Sequence, residues 1–115
     1  MTGMCRFCRC TFVRPCPGIP CAWADSSESL CTGCVDIDRA WARLPRRAPN
    51  MRRAFARGFM AATGDDRVDS AAVGNPYDTA GPTAAWWDVG VLAGLASLQS
   101  RTPDVSRRMF SARHL

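Results

Sequence analysis

Seven cysteines, Cys5, Cys8, Cys10, Cys16, Cys21, Cys31 and Cys34, fall within the first thirty-four residues, and none follows. Cys5-Arg6-Phe7-Cys8 and Cys31-Thr32-Gly33-Cys34 form two CxxC pairs. A CxxC turn places two thiolates on one ion, so the two pairs together supply a tetrahedron of sulfur, with zinc as the expected metal. Cys10, Cys16 and Cys21 admit two readings. Two tetrahedral ions have eight ligand positions, which seven thiolates fill if one sulfur bridges or if a carboxylate such as Asp25 joins them. Otherwise the three are free or buried thiols around a single zinc. An iron–sulfur cluster on four of the seven is a third chemistry, ranked behind zinc. An odd number of closely spaced cysteines fits a complete disulfide set poorly.

Nucleophilic catalysis by these thiols would need a base, and the only histidine, His114, lies one residue from the end of the sequence. With no Gly-rich phosphate loop and no paired carboxylates, the expected protein is not an enzyme. Cys16-Pro17-Gly18-Ile19-Pro20-Cys21 reads as a turn, its prolines and glycine setting an irregular backbone.

The elements that must position the cysteines follow from periodicity. Ile37, Ala40, Trp41 and Leu44 recur at helical spacing within Val35–Leu44, with Asp36 and Asp38 in the first turn and Pro45 at the end. The second CxxC therefore opens a helix, whose positive end favours thiolates. A first knuckle, a looped or hairpin excursion and a second knuckle leading into a helix predict a treble-clef or zinc-ribbon-like finger over residues 1–45. Residues 46–50 read as a basic linker in which Asn50 caps the next helix. Met51, Ala54, Phe55, Gly58, Phe59 and Ala62 repeat on one face of that helix, and Gly64 stops it. Residues 65–82 read as loop. From Thr83 to Leu98 a second helix is apolar nearly all round, with Gly90 and Gly94 at i and i+4 allowing a backbone to approach closely. The predicted fold is thus a small α+β chain in which the finger precedes an antiparallel helix–loop–helix over 51–100 and a basic tail over 101–115.

Charge is concentrated in one stretch. Arg39, Arg43, Arg46, Arg47, Arg52, Arg53 and Arg57 fall in residues 39–57 without a single acid, whereas the flanking segments are near neutral. There is no lysine anywhere. Codon bias in a GC-rich genome favours arginine, but planar guanidinium groups also suit phosphate, so the belt is a candidate nucleic-acid contact, with Tyr77 a candidate for stacking on a base.

Residues 53–94 resemble the ribosome modulation factor family, on Arg53-Ala54, Arg57-Gly58-Phe59, Ala61, Asn75-Pro76-Tyr77, Trp87 and Gly90. The loop before Asn75 is longer than in that family, and Val91 replaces a second tryptophan. The resemblance implies non-catalytic binding to the small ribosomal subunit near the mRNA exit region, silencing translation. The cysteine segment is similar to Cys-rich N-terminal regions of small phage and prophage proteins, on Cys5 to Cys10, Cys16-Pro17-Gly18, Cys21-Ala22-Trp23 and Leu30-Cys31 to Cys34.

Two functions follow as expectations. One is a phage-type accessory protein that binds the ribosome or structured RNA through its arginines and modulates translation. The other is an inhibitor of a host enzyme or defence complex, with structural zinc and a protein contact through Trp86, Trp87 and Leu95, or a homodimer formed through residues 83–98. Met1-Thr2-Gly3-Met4 runs directly into Cys5, so no secretory leader is expected. The apolar stretch 86–98 is too short to span a bilayer, and the expected location is the cytoplasm.

Overall fold

Cysteine-rich chain and helical chain share one core in the computed structural model, which describes residues 3–11, 13–16, 21–77 and 80–114, with side chains as far as Ser100. The predicted turn at residues 17–20 and the side chain of His114 lie outside the described residues. Three helices carry the fold: α1 (Val35–Ala42), α2 (Arg52–Thr63) and α3 (Pro82–His114). Short 3-10 turns at Thr32–Cys34, Pro49–Met51 and Ala71–Val73 lead into α1, lead into α2 and interrupt the long α2–α3 connection.

The expected α+β finger is corrected, because no strand forms among the described residues. Antiparallel pairing among the described residues is limited to two isolated bridges, Met4 with Thr11 and Trp23 with Cys31. The segment is instead held by single backbone bonds. Cys5 N–H donates to Cys10 O at 2.9 Å, Arg6 N–H to Ser29 O at 2.8 Å, and Thr32 N–H to Ala22 O at 2.8 Å. Arg6 reinforces them by reaching Ser29 Oγ and Asp38 Oδ1, both at 2.8 Å, which ties the knuckle to α1.

Helix α1 presents Ile37 and Trp41 to the interior. It ends two residues before the predicted Leu44, where Arg43 and Leu44 N–H bond three residues back to Ala40 O and Trp41 O ahead of Pro45. Asn50 does not cap α2. Pro49 starts a 3-10 turn that runs straight into the helix, so Asn50 lies inside the turn and makes no capping bond. Gly64 ends α2 in the left-handed region, φ 76°, as predicted.

Helices α2 and α3 do not form the predicted antiparallel pair. Met51 Sδ, in the turn just before α2, meets Thr83 Oγ1 at the start of α3, and Ala62 near the end of α2 meets Gly94 further along α3, so the two run in the same general direction. The connection over residues 64–81 is long enough to travel back along α2, which a tight hairpin loop is not. Asn75 pins its return, with Nδ2 donating to Ala84 O at 3.0 Å and to Asp88 Oδ1 at 3.2 Å. Glycines allow the contact. A Cβ on Gly58 would stand 2.0 Å from Trp87 O, and one on Gly90 2.0 Å from Phe55 O, so the backbones touch.

Trp41 joins the parts. Its ring lies edge-on to Phe7 of the knuckle (6.0 Å) and Phe55 of α2 (5.1 Å), and tilted against Trp86 of α3 (5.4 Å). Phe7 and Phe55 are fully buried on either side of it.

Candidate metal centre

The first knuckle sets the centre. Arg9 N–H donates to Cys5 O at 2.9 Å, closing a turn that carries Cys5 and Cys8, and Arg9 sits at φ 64°, the left-handed position that usually takes glycine. The second knuckle is the 3-10 turn Thr32–Cys34, in which Cys34 N–H bonds Cys31 O at 3.0 Å immediately before α1. Asp25 organises the approach to it. Its carboxylate accepts from Ser29 N–H, Leu30 N–H and the hydroxyls of Ser27 and Ser29, so the residue considered as an eighth ligand serves as a loop anchor. Those hydrogen bonds, the Ser29 hydroxyl first, hold its carboxyl well below the ordinary carboxylate range.

Cys5, Cys8, Cys31 and Cys34 converge, all four sulfurs lying within 4.8 Å of one another. A second group, Cys8, Cys10, Cys16 and Cys31, meets the same condition and shares two members with the first. Either group could hold a metal ion such as zinc. Cys21 stands beside the second group, 3.9 Å from Cys10 Sγ, and accepts Cys16 N–H at 3.3 Å. Thiols packed this closely cannot all ionise unless a cation shares the charge. Hydrogen bonding from the neighbouring Cys31 and Cys34 thiols holds Cys5 far below the ordinary thiol value and brings Cys8 down to about 5. Burial pushes Cys10 and Cys16 up, and the surrounding thiols push Cys31 up.

Sequence reasoning missed Arg67. It arrives from the α2–α3 connection with its side chain 6% exposed, paired to Asp65 at 2.7 Å. Nη1 donates to Cys16 Sγ at 3.3 Å and Cys34 Sγ at 3.7 Å, while Nη2 donates to Gly33 O at 2.9 Å. Burial opposes the charge of Asp65, but the Arg67 guanidinium holds its carboxyl below the usual range. The one hint in the sequence was an arginine following Asp65-Asp66 directly after a helix stop.

The arginines of the belt do not share one face. Arg53 and Arg57 line a cavity of about 250 Å³ beside the cysteines, together with Arg9, Arg14 and Arg67. Arg52 stacks over Trp41 at 5.9 Å, and Arg47 donates to Ala42 O. Arg39 and Arg43 border a groove between α1 and Ala93, Ala96 and Ser97 of α3, and Arg46 is exposed between α1 and α2. Tyr77 is half-buried, with its N–H bonded to Asn75 Oδ1. Of the three residues expected at a protein contact, Trp87 is buried and Trp86 packs on Trp41, whereas Leu95 is exposed with Leu92. Among the described residues, no helix is long and apolar enough to cross a membrane.

Compared with protein-family models, curated proteins and solved structures, the chain matches none.

Proposed function

We propose that this chain is a non-catalytic zinc-thiolate protein that binds structured RNA through arginines gathered beside the metal centre, with the ribosome as its target and translation as the process it modulates. What supports the phosphate contact is the convergence of Arg9, Arg14, Arg53 and Arg57, from two separated stretches of chain, around one cavity that no carboxylate lines. Arg9, Arg14 and Arg53 are exposed there, free to meet successive phosphates. The ribosome rests on the resemblance of residues 53–94 to the ribosome modulation factors, in a phage-type accessory protein. The thiolate centre is the scaffold that sets Arg9 and Arg14 opposite α2.

The test is binding of the zinc-loaded protein to isolated small ribosomal subunits across a salt series. The expected result is an affinity that falls steeply with salt, with a log–log slope shallower by about one for each phosphate contact removed. The double variant Arg53→Gln and Arg57→Gln should weaken binding. Arg9→Gly should also weaken it without harming the fold, because glycine suits φ 64°. Arg39→Gln with Arg43→Gln, on the other groove, should leave it largely intact. Salt-independent binding, or binding indifferent to Arg53 and Arg57, overturns the reading.

Leu92, 67% exposed, and Leu95, 44% exposed, favour a second reading, a protein partner or second copy seated on α3. A complex insensitive to salt and lost in Leu92→Asp with Leu95→Asp would support it.

A further inference from the structure

The two cysteine groups have two members in common, and three of their sulfurs are spaced as the ligands of one ion are. Zinc holds thiolates at about 2.3 Å, which places the corners of a sulfur tetrahedron about 3.8 Å apart. Cys8 Sγ lies 3.6 Å from Cys31 Sγ and 3.8 Å from Cys16 Sγ, and Cys16 lies 3.8 Å from Cys31. These three form one face of a tetrahedron that Cys10 completes, while Cys5 and Cys34 complete another on the Cys8–Cys31 edge.

We infer, on the metal-thiolate reading above, that this is a binuclear centre: two divalent ions held by six thiolates, with Cys8 and Cys31 bridging. One ion lies among Cys5, Cys8, Cys31 and Cys34, and its partner among Cys8, Cys10, Cys16 and Cys31.

A single-ion centre accounts poorly for the second group. It would bury Cys10 and Cys16, 7% and 4% exposed, as neutral thiols, with Cys16 at a tetrahedral-edge separation from both Cys8 and Cys31. It would also leave Arg67 aimed at a neutral sulfur. The Arg67 guanidinium touches Cys34, which belongs to the first group only, and Cys16, which belongs to the second group only. A buried cation that donates to one unshared sulfur of each group is what a joint anionic cluster requires. Six thiolates against two divalent ions carry an excess of two negative charges, and Arg67 offsets one of them.

Cys21 is then the cysteine outside the cluster. It neighbours Cys10 but does not complete either group.

The experiment is native mass spectrometry of the full chain reconstituted with zinc, followed by cadmium-113 NMR after exchange. Two ions per chain are expected, with two cadmium resonances each split by the other, because shared sulfurs transmit the coupling. Cys10→Ser and Cys16→Ser should each hold one ion, and Cys21→Ser two. One ion per wild-type chain, two unsplit resonances, or loss of an ion in Cys21→Ser overturns the binuclear centre while leaving a metal-thiolate protein standing. A chain that takes up no metal overturns both.

Discussion

A guanidinium that is almost sealed from water has to be answered on every side, and Arg67 is answered by the Asp65 carboxylate, the Gly33 carbonyl and two sulfurs. Replacing it with glutamine removes the charge but leaves Asp65 and the thiolates in place. Breaking a buried pair in this way costs about 3 kcal/mol, and losing a group that orients metal ligands weakens metal binding by roughly ten- to a hundredfold. Arg67→Gln should show both losses, by urea denaturation and by competition with a chromophoric chelator. Arg67→Lys should recover only part of the metal affinity, since one ammonium cannot span both sulfurs, the carbonyl and the carboxylate. A glutamine variant that binds metal as the parent does would remove Arg67 from the centre.

At the scale of elements, the contact between α2 and α3 depends on missing side chains. A methyl group on Gly90 would collide with Phe55 O, and a rigid backbone carbonyl cannot step aside as a side-chain tip can. Gly90→Ala and Gly58→Ala should each cost about 3 kcal/mol, the upper range for overpacking. Gly64→Ala, facing open space at φ 76°, should cost only the roughly 1 kcal/mol of a left-handed alanine. Equal midpoints in urea for Gly90→Ala and the parent would contradict the contact. Helices α1 and α2 were legible from the sequence, because Ile37, Trp41, Phe55 and Phe59 keep helical spacing and Gly64 and Pro45 punctuate it, and so was the start of α3, which runs on to His114, past the expected end at Leu98. The CxxC pairs were legible for the same local reason. The direction of α3 was not, since nothing in the periodicity of residues 83–98 records where a long connection returns the chain, and the Asn75 anchor is a contact across the fold. The expected hairpin fails because antiparallel pairing among the described residues stops at two isolated bridges, which no local sequence pattern distinguishes from a ladder. The role of Arg67 was not legible locally because its partners, Cys16 and Cys34, lie 51 and 33 residues away.

At the scale of the whole molecule, protonation and folding are linked through the same thiols that could hold a metal. In the metal-free protein, Cys5 and Cys8 are held below the ordinary thiol value of about 8.5, whereas Cys10, Cys16, Cys31 and Cys34 are held above it. Below that value the unfolded chain keeps protons that Cys5 and Cys8 have released, so stability rises with pH. Above it the folded chain keeps protons that the unfolded one has lost, so stability falls. The chelated protein should therefore melt highest near the ordinary thiol value and lower in more alkaline solution. The zinc-loaded protein should lose stability toward acid instead, because protons displace the ion from its thiolates. Thermal melts with and without chelator across pH check both slopes, and parallel curves would contradict the linkage. Trp41 adds a consequence of another kind. Its indole stands 5.4 Å from that of Trp86 at a tilt of 43°, close and skewed enough for their electronic transitions to mix. The pair should give a signed doublet in ultraviolet circular dichroism, a built-in optical gauge of whether the thiolate end is seated against the helices.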